Sequence, residues 1–215
     1  MQTRAGRPPR ISKTDIIAAA HRVIDAEGTP ALTMRRLARE VGATPMALYH
    51  HVRDKDELLL LLLDDYAAGV PRPEPPTGAT PAERIVAASV AMYEALRGVP
   101  WLVDVLASDD LMSVHALWYP EEVIDAAAEA GLSAEEAVDA YRIIWHYTVG
   151  DITVRTGAAR RREDDRPTHR GRVFEHLDAA RLPRLAAFGT RWEEVTVRDT
   201  YARGVEALVR GLLAS

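Results

Sequence analysis

The chain has 215 residues, 47% of them hydrophobic, no cysteine and a formal net charge of −5; that is enough apolar material for a real core, and it excludes disulfide staples, thiolate metal sites and a cysteine nucleophile. The polar, basic start MQTRAGRPPR has no apolar stretch behind it, and the longest apolar run, Leu58 to Leu63, is far too short to cross a bilayer, so a cytoplasmic chain with no membrane partner is expected. Charge is unevenly spread: residues 1–55 hold ten Lys and Arg against five Asp and Glu, a net of +5, which leaves −10 for the rest.

Arg4, Arg7, Arg10 and Lys13 lie in or just after a Gly/Pro-rich arm, which reads either as a solvated tail or as an arm that reaches a polyanion. Ser12 or Thr14 then caps a first helix with Ile16, Ala20, Val23 and Ile24 inward, ending at Gly28. A second helix starts near Thr33, buries Leu37, Ala38 and Val41, and stops at Gly42. Thr44 followed by Pro45 is an N-cap with proline at the first helical position, where a missing N–H costs nothing, and opens a short third helix to about Val52. Asp54 and Glu57 read as an acidic capping box for a fourth helix through the leucine run to about Ala68.

Proline and glycine cluster from Pro71 to Gly78, a linker by composition, and Thr80-Pro81-Ala82-Glu83 restarts a helix. Further helices are predicted at about 81–97, 101–107, 110–130 and 134–157, the last opened by Ser133 and Glu136, with a final one at about 193–214. Residues Ala158 to Gly171, rich in both charge signs, read as a surface loop. No segment alternates long enough for a sheet, so the expected fold is all-α. It divides into a head, residues 1–54, and a larger helical body, residues 55–215, with 55–68 as the connecting helix.

Residues 33–58 have the form of a helix-turn-helix, in which the second helix enters the major groove and its neighbours anchor phosphates. Thr33, Arg35 and Arg36 sit on the opening turn of the supporting helix, where free N–H groups and guanidinium forks suit anions. Thr44, Pro45, Met46, Ala47, Tyr49, His50 and His51 form the expected reading surface, with Leu48 and Val52 packing inward and Lys55 at the next helix start. Ala47 and Met46 suit a thymine methyl; Tyr49 and the histidines suit phosphates or base acceptors.

The run TMRRLAREVGATPMALYHHVRDKDELL resembles the DNA-binding domain of the tetracycline-repressor family, at Leu48, Tyr49, His51, Val52, Lys55, Leu58 and Leu59. The resemblance implies that Tyr49 and Lys55 anchor phosphates and that Arg35 lies near the DNA edge. A second run, residues 130–151, resembles the long helix of that family's C-terminal domain at His146, Tyr147, Thr148, Val149 and Gly150, and LPRLAAF with the last helix resembles its chain end. This implies a homodimer closed by a four-helix bundle, two heads on one palindromic double-stranded operator, and a small-molecule effector in the body.

Rings and polar neighbours between residues 93 and 151 are the expected effector contacts: Tyr93, Trp101, Met112, His115, Trp118, Tyr119, Tyr141, Trp145, His146 and Asp151. As a set they favour a pocket for a flat, largely apolar ligand, although any single one of them suits plain core as well. The stretches corresponding to the family's magnesium–tetracycline contacts offer Leu106 and Val154 instead, so that chelate is not expected. His146 and Asp151 fall about 140° apart around a helix and make no metal pair. No metal and no cofactor is expected. Two rival readings remain. An acid–base enzyme lacks any nucleophile motif, phosphate loop or metal-spaced ligands, and a ligand-independent DNA-binding dimer would use the body only as a platform.

Overall fold

A computed structural model of the protein describes residues 11–107, 111–162 and 168–214. Arg4, Arg7 and Arg10 therefore lie outside the described residues. The described chain is all-helical and divides into two compact units: residues up to Pro71 together with Asp104–Trp118, and Arg72–Val103 together with Tyr119 onward. Sequence punctuation placed the boundary at 54/55; packing places it at 71/72.

In the first unit, α1 (Lys13–Glu27), α2 (Met34–Glu40), α3 (Pro45–Tyr49) and α4 (Lys55–Ala68) follow the predicted order. Ser12 caps α1 in a complete box with Asp15. Asp54 caps α4 by accepting from the backbone N–H of Glu57, but Glu57 reaches back one residue further than a capping box would, to the N–H of Arg53 at 2.7 Å. α1 packs on α2 and α4, and α2 on α3. Fully buried Ile16, Val23, Leu32, Leu37, Leu48, Leu58 and Leu62 form the core, each contributing about 2 kcal/mol of transfer free energy. Leu58 and Leu62 of α4 share this core with Ile16 and Val23 of α1, which is why the connecting helix is part of the head.

The predicted helix at 110–130 is shorter. A 3₁₀ turn, Val114–Ala116, packs on α4, and α7 begins only at Trp118 and runs to Glu129. Pro120 is the reason: without an N–H it fits a first turn, where that group has no partner anyway, and not the interior of a longer helix. Before it comes α6 (Pro100–Leu106), close to prediction.

The second unit is built on α5 (Pro81–Arg97), capped by Thr80 and Glu83 in a complete box, with α7 and α8 (Ala134–Arg162). Arg84 of α5 holds three carboxylates on one face of α7, those of Glu122, Asp125 and Glu129, at 2.8, 2.7 and 2.6 Å. α8 outruns its predicted end by more than a turn because Gly157 is tolerated and no proline intervenes before Pro167. Residues 158–162, read as loop, belong to it, and residues 169–171 open α9 (His169–Glu175).

Two further short helices, α10 (Pro183–Ala186) and α11 (Trp192–Thr196), precede α12 (Tyr201–Leu212). The single final helix expected at 193–214 is thus broken between Thr196 and Tyr201. Arg155 of α8 explains the break: its guanidinium donates to the carbonyls of Val197 and Arg198, which a continuous helix would use internally, while the Asp199 carboxylate accepts the Tyr201 N–H. α12 packs its Tyr201, Val205 and Val209 face on α5 and α8. Among the described residues no helix is long and apolar enough to cross a membrane.

Candidate nucleic-acid interface

The turn between α2 and α3 is closed by two backbone bonds, Gly42 N–H to Arg39 carbonyl at 3.3 Å and Ala43 N–H to Ala38 carbonyl at 2.8 Å. That pairing needs a left-handed residue between them, and Gly42 supplies it at φ 69°. Thr44 then accepts from the Ala47 N–H at 3.2 Å and Pro45 takes the first helical position. The five-residue α3 is held from below by buried Leu48 and, beyond its end, Val52. Its other face is open: Met46 is 69% exposed and Tyr49 48%, with Thr44, Pro45 and His50 also exposed and Ala47 and His51 half-buried. A thioether and a phenol presented to water on the open face of one short helix make a candidate contact surface.

The cations expected to hold phosphate separate into two kinds. Arg35 and Lys55 are exposed, each in the first turn of its helix, α2 and α4. There they reinforce the partial positive charge of the free N–H groups. Thr33 caps α2 by accepting from the Arg36 N–H at 3.1 Å. Arg36 itself is engaged inside the head: it donates to Glu27 from Nε at 2.9 Å and from a terminal nitrogen at 2.7 Å, and to Glu40 at 2.9 Å. Glu40 also accepts from Arg22 at 3.0 Å. These bonds raise the Arg36 pKa, Glu27 contributing most, and hold the Glu40 carboxyl below the usual glutamate range through Arg22 and then Arg36. Arg36, expected from the sequence to face an anion, is thus engaged with two carboxylates of the head.

The ten expected effector residues are divided between the two units. Met112, His115 and Trp118 belong to the first unit and the other seven to the second. Met112 and His115 are exposed, as is His146 on α8. Tyr93 and Tyr119 are core. Trp101, Tyr141 and Trp145 are half-buried, and Tyr141 meets Tyr119 edge-on at 5.8 Å.

Tyr93 belongs to a stack that sequence reasoning missed, because its central ring, Tyr201, stands more than a hundred residues away on α12. Tyr201 lies 3.8 Å from Tyr93, nearly parallel, and 5.3 Å from Tyr147. Gly204 makes room for Tyr147; a Cβ there would collide with the phenol. The Tyr93 hydroxyl donates to Asp151 at 3.0 Å, and Arg155 donates to the same oxygen at 2.6 Å. Burial, then the Asp151 carboxylate, push Tyr93 up to about 12. The Tyr201 hydroxyl meets Thr148 at 2.7 Å and the Ser89 carbonyl at 3.2 Å, and burial raises its pKa too. An apolar groove of about 820 Å³ runs elsewhere on this unit, between α5 and α12, lined by Val86, Val90, Val209 and Leu213 with Glu206 and Arg210 among its polar groups.

A helix, a Gly42 turn and a capped second helix with exposed side chains, within a stretch of net charge +5 over residues 1–55, define a helix-turn-helix DNA-binding protein. Residues 16–62 match the bacterial regulatory proteins of the tetR family, and residues 72–215 match the tetracyclin repressor-like C-terminal domain. The chain belongs to the tetracycline-repressor family of transcriptional regulators. A regulator described as an HTH-type transcriptional regulator of Saccharopolyspora erythraea is 30% identical over 213 residues, spanning 96% of this chain and 86% of its own. Among solved structures, BioQ with its natural double-stranded DNA operator is 26% identical with a TM-score of 0.63, covering 95% of this chain and 99% of that one. ActR of Streptomyces coelicolor in complex with (S)-DNPA is 25% identical with a TM-score of 0.68, covering 95% and 98%. These relatives and the family are regulators and not enzymes.

Proposed function

We propose that this protein is a cytoplasmic, homodimeric repressor that occupies a palindromic operator and leaves it when a small, largely apolar or aromatic effector binds its second unit. The carrying observation is the presentation of α3: Met46 and Tyr49 exposed above anchored Leu48, flanked by exposed Arg35 and Lys55. Thr44, Pro45, Met46, Ala47, Tyr49, His50 and His51 read or border the bases, and Arg35 and Lys55 take phosphates. The operator-bound BioQ structure supports the DNA reading by likeness, and the (S)-DNPA complex of ActR supports an effector. Trp101, Tyr141, Trp145 and Asp151 remain the effector contacts we assign; Tyr93 and Tyr119 serve the core instead.

Dimerisation has its own support. None of the described residues from 168 to 200 is buried, yet Val173, Leu182, Phe188 and Val197 expose large apolar surface there. Helices that fully bury no side chain within one chain are stabilised by a second surface. Connectivity supports coupling, since the chain passes between the units at 71/72, 103/104 and 118/119. An effector that shifts α7 pulls on the adjoining 3₁₀ turn Val114–Ala116, which packs on α4. Only a few kcal/mol of coupling is required, because ~1.4 kcal/mol is tenfold in affinity.

The test is fluorescence anisotropy of a duplex selected by the protein from a random library, titrated with a panel of aromatic and polycyclic metabolites. Release by at least one compound, with no turnover of it, is expected. Retention in the presence of every compound favours the ligand-independent dimer.

A further inference from the structure

Arg36 occupies a place where a free guanidinium would face DNA, but the geometry assigns it another task. Its Nε and one terminal nitrogen share Glu27 Oε1, and the other terminal nitrogen holds Glu40, so both edges of the fork are used. Glu40 is closed from its other side by Arg22. The four side chains carry no net charge. Glu27 is the last residue of α1 and Glu40 the last of α2, so each carboxylate stands at the negative end of its helix dipole and requires a cation. Moving Arg36 to a phosphate would strand Glu27, and leave Glu40 with Arg22 alone, beside a polyanion.

We propose that Arg36 is a positioning residue for DNA reading and not a phosphate contact: the chain Arg22–Glu40–Arg36–Glu27 fixes α2 against α1. Through the two-bond turn at Gly42 it thereby sets the angle at which α3 meets the groove. This rests on the reading of α3 as the DNA-contacting helix. The lever is short, since only residues 41–44 separate α2 from α3 and the two helices pack together. A small tilt of α2 displaces Met46 and Tyr49 from base edges while leaving exposed Arg35 and Lys55 able to find phosphates, so sequence discrimination suffers more than general affinity.

Three full-length variants test this: Arg36→Gln, Glu40→Gln and Arg35→Gln. Each is titrated against the duplex selected by the unaltered protein and a shuffled duplex, across a range of salt, with thermal unfolding run alongside. Arg36→Gln is expected to lose about tenfold on the selected duplex, little on the shuffled one, and to keep the slope of log affinity against log salt. Glu40→Gln is expected to lose discrimination likewise, although it removes a negative charge. Arg35→Gln is expected to weaken both duplexes and lower the slope by about one per head. The proposal is overturned if Arg36→Gln lowers the slope as Arg35→Gln does, if it weakens both duplexes by one factor as a partly unfolded head would, or if Glu40→Gln tightens binding. Failure of the unaltered protein to prefer any duplex overturns the reading of α3 itself, and the variants need not be consulted.

Discussion

Lys55 and Tyr49 show how much a single side chain reveals when its burial is known. Both are polar or amphipathic groups at helix ends, yet neither is spent on the fold: Lys55 is exposed at the first position of α4, and Tyr49 projects from the end of α3. A lysine that anchors one phosphate per head releases about one counterion when it binds. Lys55→Ala is therefore expected to weaken binding to all duplexes and reduce the salt slope by about one per head, measured by anisotropy. Substitution of Met46 should instead change which duplex is preferred. An unaltered slope for the lysine variant would remove Lys55 from the interface. Residue type alone could not separate Arg35 from Arg36, which are adjacent in sequence and identical in chemistry. Only the positions of Glu27 and Glu40, at the ends of two different helices, divide them.

At the level of elements, caps and prolines carried most of the information. Ser12, Thr33, Thr44, Asp54 and Thr80 each start a helix where their side chains accept an N–H three positions on, and these local bonds are written in local sequence. The break at 197–200 was illegible because its cause is Arg155, more than forty residues upstream. The α1–α2 pairing yields a pH prediction. Glu40 is held below its ordinary range, so its contribution to stability is present above the unfolded-state value and is lost as pH falls through the lower native one. Thermal midpoints should therefore fall as pH drops from about 5 to about 3, and Glu40→Gln should flatten part of that decline. An acid limb identical in the two proteins would show that the cluster does not hold α2. The effect is modest, because the group is solvent-screened.

At the level of the molecule, composition showed a division of labour before any helix was assigned: a net charge of +5 over residues 1–55 against −10 over the rest. The aromatic residues of the body were legible as a cluster in sequence but not as pocket or core, since rings that line a pocket and rings that fill a core have the same spacing on a helix. Tyr93, Tyr147 and Tyr201 stack because α5, α8 and α12 meet, a tertiary fact. With Tyr93 raised to about 12 and Tyr201 also raised by burial, the native state favours the neutral phenols. Their contribution is complete below the ordinary tyrosine value and is lost as pH rises through the native ones. Followed by tyrosinate absorbance, these rings should ionise late and together with loss of helical circular dichroism; early, independent ionisation would show that the stack is open to solvent.

Selection of duplexes from a random library by the purified protein, followed by sedimentation of the complex, bears most directly on the DNA-reading helix and its duplication. Enriched sequences should contain two inverted half-sites whose centres lie ~34–36 Å apart, about one turn of DNA, bound by at least two chains. Enrichment of nothing, or of a single unrepeated half-site carrying one chain, would contradict it.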